Sequence, residues 1–94
     1  MPTFKIAHIR EQGQDIILAL VSDQIHYKGD TEKAALAASL QACAEAAGLA
    51  GIVVLVWIHV NQIYFRGPSP WHAFLKGLTV PFFMSNINKE LTCK

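Results

Sequence analysis

The stretch Ile52-Val53-Val54-Leu55-Val56-Trp57-Ile58-His59-Val60 decides the fold. Side chains alternate along a strand, so Ile52, Val54, Val56, Ile58 and Val60 share one face and Val53, Leu55, Trp57 and His59 the other. Both faces are largely apolar. A strand greasy on both sides is an inner strand that needs cover above and below. Residues 15–22 repeat the pattern, with Ile16, Leu18 and Leu20 pointing one way and Ile17, Ala19 and Val21 the other. The rival reading of residues 46–65 is a membrane span, since they carry no charge and a span needs about 20 apolar residues. His59, Asn61 and Gln62 interrupt the second half and β-branched residues fill the first, so a buried strand followed by a turn fits better.

Working outward, residues 4–10 form a strand that turns at residues 11–14, where Gly13 takes a left-handed conformation at little cost. Residues 23–30 are a polar loop, with a short extension of strand at 25–27. Asp30 or Thr31 is expected to cap a helix over residues 31–47, with Glu32 suited to its positive end. Leu36, Leu40, Cys43 and Ala47 make its apolar stripe, and Ala38, Ala42 and Ala46 a second stripe of small side chains. Gly48 terminates it. Past the central strand, Asn61-Gln62 gives a tight turn into a fourth strand at 63–66. Gly67-Pro68-Ser69-Pro70 breaks the sheet, and Ser69 before Pro70 starts a short helix that ends at Gly77. Thr79 and Pro81 introduce a last helix reaching Leu91, with Val80, Met84, Ile87 and Leu91 at its spacing; a strand over 78–84 is the alternative. The expected fold is one α+β domain, residues 1–94, in ββαββα order: a four-stranded, mainly antiparallel sheet with helices on one face.

That arrangement leaves the second sheet face bare. Burying one Val or Ile is worth about 1.5–3 kcal/mol, so a bare face of such residues calls for a partner, and a closed two-fold dimer is the commonest solution. The leading functional expectation is a non-enzymatic interaction protein, a homodimer meeting through Ile17, Val53, Leu55 and Trp57. Low charge agrees, at 16% of 94 residues against roughly 25% in typical domains.

Chemistry is sparse. The eight Lys and Arg are scattered and the net charge is +1, which disfavours nucleic acid, whose phosphates need clustered cations. Two cysteines, Cys43 and Cys93, have no metal spacing and read as a packed small side chain and a free thiol. The start of the chain lacks the apolar run of a signal peptide, and the expected location is the cytoplasm. The four histidines show no zinc pattern, so no metal and no cofactor are expected; His59 reads as packed or hydrogen-bonded. No nucleophile elbow or phosphate loop occurs, and no catalytic residue is assigned. The second functional expectation is a small-molecule or anion site, or a small enzyme, built from Tyr64, Arg66, Trp71 and His72, where a helix start and a guanidinium would meet aromatic rings.

The strings Arg10-Glu11-Gln12-Gly13-Gln14-Asp15, Ala47-Gly48-Leu49-Ala50-Gly51 before Val56-Trp57, the pair Trp71-His72 and Asn86-Ile87-Asn88-Lys89-Glu90-Leu91 resemble small bacterial proteins carried on mobile, integron-type gene cassettes. The resemblance implies a bacterial, cytoplasmic accessory protein and brings no activity with it.

Overall fold

In the computed structural model, which describes residues 3–11, 13–67 and 69–93, the expected α+β class is present with a different sheet. Strands β1 (Thr3–Glu11), β2 (Gln14–Leu20), β3 (Ile52–His59), β4 (Gln62–Arg66) and β5 (Lys89–Thr92) form one five-stranded sheet in the order β4-β3-β2-β1-β5. Its central pair, β2 and β3, is parallel, in register from Ile16 opposite Ile52 to Leu20 opposite Val56. The other pairs are antiparallel. A parallel pair needs a long crossover, and the helix α1 (Asp30–Ala46) lies within it.

The premise that both faces of the inner strands need cover holds. The chain supplies that cover itself. On one side Leu40 and Ala44 of α1, with Ile25 of a short 3-10 helix (Asp23–Tyr27), pack on Ile6, Ile17, Ala19, Val53, Leu55 and Trp57. On the other, Trp71, then Leu75 of α2 (His72–Lys76), Leu78 and Phe83 of α3 (Val80–Asn86) cover Ala7, Ile16, Leu18, Val54 and Val56. Helices therefore sit on both faces. Ile17, Val53, Leu55 and Trp57, expected at a dimer interface, are at most 5% exposed and belong to the core under α1.

Local departures have local causes. Residues 25–27 are not a strand; Ser22 caps the 3-10 helix, its hydroxyl accepting from Gln24 N. At the start of α1, Gly29 is the cap residue and no side chain caps it, because the Asp30 carboxylate is turned to Arg66. Gly48 ends α1 at φ 78° as expected. The turn after β3 sits one residue earlier than expected, on Val60 and Asn61 at φ 50° and 60°, and so β4 begins at Gln62. The expected cap by the Ser69 side chain lies outside the described atoms. Thr79 does cap α3, accepting from Phe82 N. However, α3 stops at Asn86, and residues 89–92 pair with β1 instead of continuing the helix. The Asn88 side chain begins that pairing by bonding both the N–H and the C=O of His8.

Two devices fix α1 at its far end. The Gln41 amide donates to Gly51 O at 3.0 Å and accepts from Val53 N at 2.9 Å, tying the helix to the start of β3. Gly51 itself sits at φ 126°, where an added Cβ would lie 2.9 Å from Asp15 O. In addition, Cys43 and Cys93 form a disulfide, with Cα atoms 5.4 Å apart. Cys93 is therefore not the free thiol expected, and Cys43 is more than a packed small side chain. The bridge fastens the segment after β5 to α1.

Closing a loop whose ends are 50 positions apart in sequence stabilises the folded state by about 4 kcal/mol through the chain entropy of the unfolded state. Full reduction, confirmed by thiol titration, should lower Tm by roughly 15 °C or more for a domain of this size. An unchanged calorimetric Tm in the reduced protein would refute that contribution.

Candidate functional site

A cluster of polar rings stands on the α1 side of the sheet, where β3 and β4 meet the 3-10 helix. Antiparallel pairing puts Tyr64 opposite Trp57, Gln62 opposite His59 and Arg66 opposite Leu55, so all of these share the α1 face. The 3-10 helix anchors itself through Ile25, and this places the neighbouring His26 and Tyr27 over the end of β3. The His26 and His59 rings stack with centroids 4.1 Å apart and planes 15° from parallel. Tyr27 meets both rings edge-on, and Tyr64 closes the other flank, 4.7 Å from His26 and 6.0 Å from Trp57.

Hydrogen bonds orient the rings. Trp57 Nε1–H donates to His26 Nδ1 at 3.2 Å. The Tyr27 hydroxyl lies 3.3 Å from His59 Nε2. His59 Nδ1 is buried with no hydrogen-bond partner, and the nearest charge is Asp23 Oδ2 at 3.9 Å. The indole of Trp57 is covered by the Lys33 ammonium, 5.0 Å from the ring centroid. Next along β4, Arg66 Nε and Nη2 donate to the two Asp30 oxygens at 3.1 and 3.3 Å. Tyr27 is the outward member of the group, 76% exposed.

The sheet divides the site expected from Tyr64, Arg66, Trp71 and His72. Tyr64 and Arg66 join the cluster on the α1 side. Trp71 is buried in the opposite core. His72 stands against Phe65 on that other side, its Nε2–H donating to Gly67 O at 2.9 Å. These four side chains do not converge, because the chain crosses the sheet edge between Arg66 and Trp71. Sequence reasoning passed over His26, Tyr27 and Asp23 as loop residues. Their signal was a pair of adjacent rings flanking the apolar Ile25.

Elsewhere, a groove of about 460 Å³ runs past Ala42, Cys43, Ala46, Ala47 and Thr92. Small side chains and the disulfide line it, with no convergent polar groups, so it offers little chemistry. Among the described residues, no cluster of three or more His, Cys, Asp or Glu is placed to hold a metal ion. No described helix is long and apolar enough to cross a membrane.

The Arg66 guanidinium, by hydrogen bonding and then by its charge, holds the Asp30 carboxyl below its ordinary 3.8, and Lys33 adds to the pull. A carboxyl lowered in the folded state contributes stability that is complete above its unfolded value and is lost as the pH falls through the folded one. Asp30→Asn should therefore be slightly less stable than the parent in urea at pH 7 and should converge with it near pH 2. A gap as large in acid as at neutrality would contradict the pairing. Set beside family models, curated proteins and solved structures, the chain matches none of them, and the site is read on its chemistry alone.

Proposed function

We propose that the protein binds a small planar ligand at the ring cluster formed by His26, Tyr27, His59 and Tyr64. One observation carries this reading. The cluster keeps His59 Nδ1 buried without a hydrogen-bond partner, as His8 Nε2 is elsewhere in the sheet, an arrangement that costs on the order of 1–3 kcal/mol, and here it stands beside an exposed ring. An aliphatic side chain at position 59 would avoid that cost. The neighbouring Tyr27 ring is left largely in water. Stability alone does not account for such a group, whereas recognition uses an exposed ring face, fixed donors and acceptors, and nearby cations. With Arg66 held by Asp30, Lys33 over the Trp57 ring is the cation that favours a ligand carrying an acidic group, in keeping with the small-anion expectation.

The test is a titration with a panel of aromatic carboxylates, followed by thermal shift and by the Trp57 indole N–H resonance. A binder should raise Tm, since a ligand selective for the native state stabilises it. Tyr27→Ala should abolish the shift while altering the unliganded stability by less than about 0.5 kcal/mol, as at exposed positions generally. A binder that shifts the Tyr27→Ala variant equally would place recognition elsewhere, and a panel without any binder would overturn the reading.

A second reading keeps the homodimer and moves its contact. Residues 77–88 carry no charge, and Phe82 and Met84 on α3 are each 45% exposed. A second copy meets no like-charge repulsion there. Sedimentation on the order of tens of micromolar, a concentration suited to a modest interface, should show a dimer that Phe82→Glu with Met84→Glu converts to monomer. A monomeric parent protein would end this reading. The bacterial, cassette-borne, cytoplasmic origin is likewise proposed, supported by the residue strings alone. The disulfide pulls against the cytoplasm, where thiols are kept reduced.

A further inference from the structure

We propose that Tyr27 is a nucleophile, with His59 as its general base and Asp23 positioning the imidazole, and that it accepts an acyl group from a small activated acyl donor. The inference rests on the ring cluster being the surface that meets ligands. The geometry supplies the parts in order. The Tyr27 hydroxyl is within 3.3 Å of His59 Nε2, and the opposite nitrogen of the same ring faces the Asp23 carboxylate at 3.9 Å. A carboxylate only accepts hydrogen bonds, so it favours the tautomer with the proton on Nδ1. That leaves the Nε2 lone pair aimed at the phenol. A nucleophile, a base within reach and a third group behind the base are the arrangement that activates a weak nucleophile. The long Asp23 distance is of the kind that tightens when substrate binds. The His26 ring lies flat on the His59 imidazole, 4.1 Å away.

In the step itself, Tyr27 Oη attacks the acyl carbonyl carbon and forms an O–C bond. The bond from that carbon to the leaving group breaks, and the phenolic proton passes to His59 Nε2 and from there to the departing group. With N-acetylimidazole as donor, the products are acetyl-tyrosine and imidazole.

The chain holds two tyrosines, which makes Tyr64 an internal reference. Its hydroxyl donates to Gln62 Oε1 at 3.2 Å and has no base behind it. The experiment is acetylation of the intact protein by N-acetylimidazole, with the rate at each tyrosine read by mass spectrometry after digestion. Tyr27 should react faster than Tyr64. His59→Gln should slow Tyr27 roughly tenfold or more and leave Tyr64 unchanged. Asp23→Asn should slow it severalfold and Asp23→Glu should restore it, a rescue that mere packing would not give. In the parent protein the Tyr27 rate should level off well below the ordinary phenol pKa near 10, whereas an unassisted phenol keeps gaining up to that point. The titratable and charged groups facing His59 are Asp23, His26 and Tyr27 from the 3-10 helix and Tyr64 from β4; Lys33 of α1 is held over Trp57.

Equal Tyr27 rates in the parent and His59→Gln proteins would overturn the proposal, as would a parent profile that rises unbroken to pH 10. The profile needs no variant and so survives any folding defect. Tyr27→Phe separates this inference from the binding reading: it keeps the ring, and should keep ligand binding, while removing the nucleophile. A panel without any binder, beside Tyr27 acetylation in the parent protein that still depends on His59, would count against the binding reading and not against the relay.

Discussion

The parallel pairing of β2 with β3 is the constraint from which the rest of the structure follows. Ile16, Ile17, Leu18 and Ala19 face Ile52, Val53, Val54 and Leu55 across it, and all but Ile52 are buried. Two adjacent strands that run the same way cannot be joined by a turn. The connection has to climb over one face, and α1 is that climb. With one face taken, the other must be closed by what remains of the chain, and only residues after β4 are free to do it. The two short helices α2 and α3 are too brief to be stable alone. They persist because Trp71, Leu75, Leu78 and Phe83 complete the second core.

Much of this was legible in the alternation of residues 16–20 and 52–58, which states that these strands are inner ones. What alternation does not carry is direction. A 17-residue helix between two strands apolar on both faces is the usual mark of a parallel crossover, but it also fits a helix laid over two antiparallel hairpins, and the turns at 11–14 and 61–62 favour that arrangement. Nor does an apolar face say whose atoms will cover it. The second face was expected to need another copy only because α2 and α3 were placed beside α1. Strand β5 was hidden for a different reason. Lys89-Glu90-Leu91-Thr92 holds one buried residue, Leu91, and Leu91 stands four residues after Ile87, the spacing of a helix. The pairing with β1 is decided by tertiary contact and by Asn88, whose side-chain amide continues the ladder. The cysteine pair was silent because no local spacing connects α1 to the segment after β5.

The site was half legible. Tyr64 and Arg66 were singled out for their chemistry, and they do stand in the ring cluster. Trp71 and His72 follow closely in sequence, which made a shared pocket plausible. However, proximity along the chain is a poor guide across a sheet edge. Tyr64 and Arg66 share a parity and a face, and Ile63 and Phe65 take the other. The chain then passes round the edge at Gly67, where Val54 packs so closely that a Cβ would approach its side chain to 2.9 Å. The next aromatic residue is therefore delivered to the opposite core.

The pairing direction also explains why His26 and His59 meet at all. The 3-10 helix leaves the carboxyl end of β2, and His59 is the last residue of β3. Were β2 and β3 antiparallel, these two ends would lie on opposite rims and the two imidazoles would be separated by the length of a strand. In a parallel pair the carboxyl ends are neighbours, and whatever follows one strand can touch whatever ends the other. This is the physical reason ligand sites gather outside the carboxyl ends of parallel strands. Here the sheet has a single such pair among its four pairings, and the cluster stands at its carboxyl rim. The groups that carry chemistry are thus brought together by the same constraint that dictates the core, and a change of strand direction would dismantle both at once.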